Sequence, residues 1–148
     1  MLVNFVCKPH YINIMDSSII NCEDLYFEHK QWMSELHFWD QELKFFQKQL
    51  EPLVRNITDK KILVRVTHFQ NQFDIHKSTL NEFKDAIENH NQDLVQHTYA
   101  GVNALDRVRY RKHVEIREQM IRERELYQDL KKEYYAFLVH VIALDFDD

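Results

Sequence analysis

Between Leu25 and Ile57 an apolar position recurs after four residues, then three, without a break. The series reads Leu25, His29, Trp32, Leu36, Trp39, Leu43, Phe46, Leu50, Leu53 and Ile57. This alternation confines the large side chains to one narrow stripe of a helix, the seam by which long helices lie side by side. A second seam runs Ile62, Val66, Phe69, Phe73, His76, Leu80, Phe83, Ile87, His90, Leu94. A third runs His113, Ile116, Met120, Glu123, Tyr127, Leu130, Tyr134, Phe137, Val141, Leu144. Three such stripes on one chain must bury one another. The predicted fold is all-α, an antiparallel three-helix bundle with coiled-coil-like heptad packing.

The breaks between the seams support this. Asn21 is a candidate N-cap, with Glu23 and Asp24 in the first turn beside the positive end of the helix dipole. "RNITDKK" interrupts the first seam and offers Thr58 or Asp59 as the next cap. "HTYAGVN" contains Gly101, the only glycine, suited to stopping a helix. One glycine and two prolines leave little turn chemistry for a many-stranded sheet. Expected helices lie near 22–57, 60–97 and 104–144, with Pro52 removing one hydrogen bond from the first. Short connections make consecutive helices antiparallel neighbours. Residues 1–21 are expected to form a partly irregular N-terminal extension, and residues 22–148 the bundle domain.

A net charge of −5 argues against a general nucleic-acid binder, whose affinity rests on basic surface. The longest apolar stretch, Tyr134 to Leu144, is too short for a bilayer span, which needs about 20 residues. No membrane partner is therefore expected. Cys7 and Cys22 cannot build a disulfide framework, which fits a reduced, cytoplasmic setting. "MLVNFVCKPHYINIM" lacks the marks of a signal peptide. Met15, followed by "DSS", reads as the more natural start, residues 1–14 being an added extension.

The seams contain polar faults, and their register can be counted. If Ile57 faces Ile62 across the first turn, His29 faces His90, Leu43 faces His76, and Cys22 faces His97. Counting from a second turn near Gly101 brings His90 near His113 and His76 near Glu123. His29, His90 and His113 thus fall in one layer, one from each helix. Three imidazoles suit a transition metal such as zinc, and a catalytic zinc commonly has three protein ligands with one position open. Asp93 is a candidate fourth ligand or outer partner, and Tyr26 and Tyr110 lie one turn from the layer. A layer of Cys22, His97 and Asp106 is expected nearer the open end. The plainer reading is a polar layer that fixes register, its histidines satisfied by one another or by water. For His76 and Glu123 a structural, hydrogen-bonded pair is expected.

No standard catalytic or metal motif accompanies the layer. No histidine has an acidic residue three positions before it, and no His-x-x-x-His pair exists. The serines sit in no triad-like context and there is no phosphate-cradling glycine loop, so no catalytic residues are assigned. The basic run "RVRYRKHVEIREQMIRERE" contains Arg111–Glu115 and Glu118–Arg122, four apart, and reads as a solvated charged face. His37 with Asp40 reads the same way.

Phe27, Phe38 and Phe45, spaced eleven and seven, share a face of the first helix nearly opposite its seam. A three-helix core leaves them exposed, and aligned exposed aromatics mark a partner. Tyr135, Leu138 and Ile142 likewise widen the apolar surface of the third helix. Either the N-terminal segment folds back over the phenylalanines or a homodimer covers them, closed two-fold oligomers being common.

"FEHKQW", the regular seam behind it, and "HFQNQF" resemble an uncharacterised family of small helical-bundle proteins from bacteria of the Bacteroidetes type. The resemblance spans about Met15 to Leu144 and implies a bacterial, cytoplasmic setting, with no site residue or activity to carry over. The first functional expectation is a non-enzymatic, self-associating interaction module. The alternative is a metal-binding bundle using His29, His90 and His113.

Overall fold

The computed structural model describes residues 22–99 and 107–146, with side chains over 24–96 and 107–144. Three helices follow one another: α1 (Cys22–Asn56), α2 (Lys60–Tyr99) and α3 (Arg107–Phe146). Their bounds fall within three residues of those predicted from the seams. Helix α1 continues through Pro52 to Asn56. Asp59, not Thr58, caps α2: the Lys61 N–H donates to Asp59 Oδ1 at 2.8 Å. The Leu63 N–H meets the Asp59 carbonyl at 3.0 Å. Asn21 and Gly101 lie outside the described residues.

Contacts between helices give their directions. His29 meets His90 and Asn91, while Gln47, further along α1, meets Asp74, earlier on α2; these two helices are antiparallel. His76 meets Glu123 and His90 meets Arg109, so α2 and α3 are antiparallel as well. Helices α1 and α3 therefore run parallel, and a ladder of ion pairs joins them. Glu28 holds Arg117, Glu35 holds Arg124 at 2.6 and 2.8 Å, and Glu42 holds Lys131 at 3.1 and 3.3 Å. Both partners advance seven residues per rung.

Among the described residues, every buried side chain except Asp40 belongs to one of the three seams. Burying each large aliphatic or aromatic side chain contributes about 1.5–3 kcal/mol, before the opposing loss of chain entropy. Phe46, Phe69, Phe73, Tyr134 and Phe137 form an aromatic cluster, with ring centroids 4.9 Å apart for Phe46–Tyr134 and 5.1 Å for Phe69–Phe137. The two buried tyrosines keep their hydroxyls satisfied at the edge. Tyr127 donates to Glu42 at 3.2 Å and Tyr134 to Gln49 at 3.2 Å. Burial pushes the Tyr134 phenol up to about 12 and raises that of Tyr127 further.

Three expectations need correcting. Asp40 is not on a solvated face: it is buried and accepts from Lys44 at 2.8 Å, one turn along α1. Leu144, the last seam position, is 42% exposed because α3 outruns the packing there. The basic run of α3 is not only a solvated face, because Arg117 and Arg124 reach across to α1. Among the described residues, no helix is long and apolar enough to cross a membrane.

Candidate metal centre

The counted register brings together the three histidines it predicts. His29, His90 and His113 are 3%, 4% and 0% exposed. Their ring centroids lie 5.1 Å apart for His29–His90, 5.0 Å for His29–His113 and 5.6 Å for His90–His113. One nitrogen from each ring lies within 4.8 Å of the other two. His29 Nε2 is the common point, 3.1 Å from His90 Nδ1 and 3.2 Å from His113 Nδ1. The heptad spacing of each helix turns the rings inward. Trp32, one turn after His29, stacks on His113 at a centroid distance of 4.9 Å and fixes its plane.

The nitrogens facing outward decide where the protons sit. His90 Nε2 lies 3.0 Å from the Arg109 carbonyl, and His113 Nε2 lies 3.2 Å from the Glu28 carboxylate. Each of those oxygens can only accept, so each ring carries its proton on Nε2 and a lone pair on Nδ1. His29 Nδ1 lies 3.2 Å from Asn91 Oδ1, and with the amide in this orientation its proton sits outside as well, leaving a lone pair on Nε2. The lone pair on His29 Nε2 then meets those of the other two rings across 3.1 and 3.2 Å, a repulsion that a cation among them removes. Burial lowers the proton affinity of all three rings, and takes His29 to about 4. Near neutral pH a proton is a poor candidate for that cation.

The outer partners are themselves held. Arg117 grips Glu28, and this contact more than the neighbouring His113 lowers the pKa of the Glu28 carboxyl. Glu28 therefore remains an anion that receives the His113 N–H. The Arg109 guanidinium lies 3.0 Å from Asp93, tying the residue whose carbonyl receives His90 back onto α2. Asp93 thus acts one step away from the layer and is not a ligand. Tyr26 turns outward beneath Lys30, whose Nζ lies 4.7 Å from its ring centroid, and Tyr110 meets Arg117 rather than the layer. Cys22, His97 and Asp106, the second expected layer, lie outside the residues whose side chains are described.

Counting from the seams missed Glu28 and Asn91, the two side chains that orient the imidazoles. A signal for Glu28 was present. Glu28, Glu35 and Glu42 repeat at seven, as do Arg117, Arg124 and Lys131, and the register that joins His29 to His113 also joins these two rows. The second polar fault also forms as expected: His76 Nδ1 lies 2.5 Å from Glu123 Oε1, both side chains under 10% exposed.

No protein-family model matches the chain, and neither a curated protein nor a solved structure matches it.

Proposed function

We propose that this chain is a metal-binding helical bundle that takes one divalent transition-metal ion, zinc foremost, among His29, His90 and His113. The convergence of three inward lone pairs, each ring oriented by an outer acceptor, carries this reading. Metal-ligating histidines characteristically donate their other N–H to a carboxylate, a backbone carbonyl or another fixed acceptor. Here Glu28, the Arg109 carbonyl and Asn91 supply those acceptors. Two zinc-bound imidazole nitrogens, each about 2.05 Å from a tetrahedral ion, sit roughly 3.4 Å apart. Two of the three separations, 3.1 and 3.2 Å, need only a slight opening, and all three nitrogens lie within 4.8 Å of one another. Imidazole also accepts copper, iron and nickel, so the donor set defines a class of ions more tightly than one metal.

The competing arrangement is a closed layer without metal. If the Asn91 amide turns over and donates to His29 Nδ1, one proton on His29 Nε2 can be shared by the other two rings. The experiment separates the two. Protein purified without a histidine tag is stripped with chelator and titrated with zinc by calorimetry at pH 7.5. Stoichiometric binding, lost in His90→Leu and kept in His76→Leu, supports the centre. A stripped protein that takes up no zinc, copper or nickel would falsify it. Two cysteines, too few for a disulfide framework, fit a reducing, cytoplasmic setting for such a site.

A further inference from the structure

Helix α1 carries a second stripe on the face turned away from the bundle. It reads Phe27, Gln31, Ser34, Phe38, Gln41, Phe45, with the four-three spacing of the buried seam and no charge along it. All six side chains are exposed, the phenylalanines by 60%, 58% and 58%. Charged residues bound the stripe at both ends, Asp24 before it and Lys48 after it. Its two margins differ, one with lysines flanking a histidine and the other acidic. Lys30, His37 and Lys44 run along one, and Glu28, Glu35 and Glu42 along the other.

From this pattern we infer that the stripe docks a second copy of the chain, α1 against α1, parallel and in register. The inference is independent of the metal centre. In a parallel pair of heptad helices, each margin of one helix meets the opposite margin of its partner. Lys30 then faces Glu35 and His37 faces Glu42, on both sides of the two-fold axis. Those carboxylates are already held by Arg124 and Lys131, yet they remain 27% and 19% exposed and have acceptor capacity left.

The antiparallel alternative is worse on two counts. Each margin would meet its own kind, setting Lys30 against Lys44 and Glu28 against Glu42. It would also pair Phe38 with Ser34, whereas the parallel alignment pairs each phenylalanine with itself and makes three aromatic contacts. Its one advantage, Asp24 near Lys48, lies at the exposed ends, where single ion pairs contribute little. Two Lys30–Glu35 ion pairs, two His37–Glu42 hydrogen-bonding contacts and an extra aromatic layer outweigh those two end contacts.

The test uses the full chain with Cys7→Ser, Cys22→Ser and Gln31→Cys. In parallel register the two introduced thiols are opposite each other. In the antiparallel one Gln31 faces Gln41, ten residues away, which is about 15 Å along the helix and beyond the reach of a disulfide. The expected result is a concentration-dependent dimer by light scattering and a disulfide-linked dimer under mild oxidation. Phe38→Glu, an exposed change whose fold is checked by circular dichroism, should weaken dimerisation at least tenfold. A dimer that does not cross-link at residue 31 overturns the parallel register. A monomer over a hundredfold concentration range overturns the docking itself. So does a monomer whose introduced thiol resists a maleimide reagent, because the face is then covered by another part of the same chain.

Discussion

Two breaks in the apolar seams, about two heptads apart on α2, solve the burial of a histidine in different ways. His76 has an acid across the interface, and the pair closes on itself at 2.5 Å. His90 has two other imidazoles, and the three rings direct their outer nitrogens to acceptors and their inner nitrogens to a common point. A histidine with a carboxylate beside it completes a hydrogen bond and is finished. A histidine among histidines, each anchored from outside, is left with a shared lone-pair pocket. Both histidines are buried on the seam; the chemistry differs because of what the other two helices supply, Glu123 from α3 in one layer, His29 from α1 with His113 from α3 in the other.

The largest expected effect breaks the closed pair. Glu123→Leu leaves His76 buried without its partner and should cost on the order of 3 kcal/mol in denaturant unfolding. The double change His76→Leu with Glu123→Leu should recover much of that loss, and neither change should alter zinc uptake. If Glu123→Leu abolished metal binding, the two layers would not be separate devices.

Next in size is the metal effect. Zinc at a hundredfold excess over its dissociation constant stabilises the folded chain by about 2.7 kcal/mol. For a chain of this length that is a rise in melting temperature of roughly 5–10 °C. His90→Leu should show no rise, while its metal-free form should be as stable as the parent or more so, since a polar seam fault has been replaced by an apolar side chain. A wild-type melting curve that zinc does not move would remove the contrast between the layers.

The third test is pH dependence of the metal-free protein. The unfolded chain takes up protons on these histidines near 6.5, whereas burial holds all three folded rings below that, His29 at about 4. Between those values the unfolded state binds more protons, so stability falls as pH falls. Melting temperature should be flat in this respect above pH 7 and decline from about 6.5 towards 4, where the His29 contribution ends. Zinc must compete with the same protons, so its stabilising effect should shrink over that range. Stability that is unchanged from pH 7 to 4.5 would show that the rings are not held neutral.

Smallest is the outer partner. Glu28→Gln keeps the size of the side chain but weakens the acceptor for His113 and the hold of Arg117. Zinc affinity should drop about tenfold by calorimetry. Glu35→Gln, one rung further from the layer, should leave it unchanged. Equal losses from the two would assign Glu28 to general helix docking rather than to the site.

The helices, the direction of each and the identity of the buried residues were legible because they follow from one repeating constraint. Val66, Leu80 or Ile116 must point inward if its neighbours on the seam do. The meeting of His29, His90 and His113 was legible for the same reason, since a seam whose phase is set at one turn carries that phase along its length. Margin positions were not legible in this way. Asp40 sits beside the seam, and spacing does not show that its side chain is buried and pairs with Lys44. Tyr26 is one turn from the layer yet turns out under Lys30, a choice of side-chain rotamer that spacing does not determine. Asn91 follows His90 directly and could be valued only once the tautomer of His29 was in question.

The seven-residue ladder between α1 and α3 is almost symmetric under translation. Slide α3 by one repeat, so that Glu28 meets Arg124 and Glu35 meets Lys131, and two of its three rungs survive. Aliphatic layers tolerate the same slide, because one large apolar side chain replaces another. What the displaced arrangement cannot keep is its polar matching: His29 would lie against Met120 and His76 against Leu130, with Glu123 and His113 stranded at the wrong levels. The two histidine layers therefore act as the teeth of a key, cut at unequal heights in an otherwise periodic shaft. They distinguish the native alignment from the one-repeat slide, and any substitution that makes both layers apolar should blur that distinction even where it raises the melting temperature.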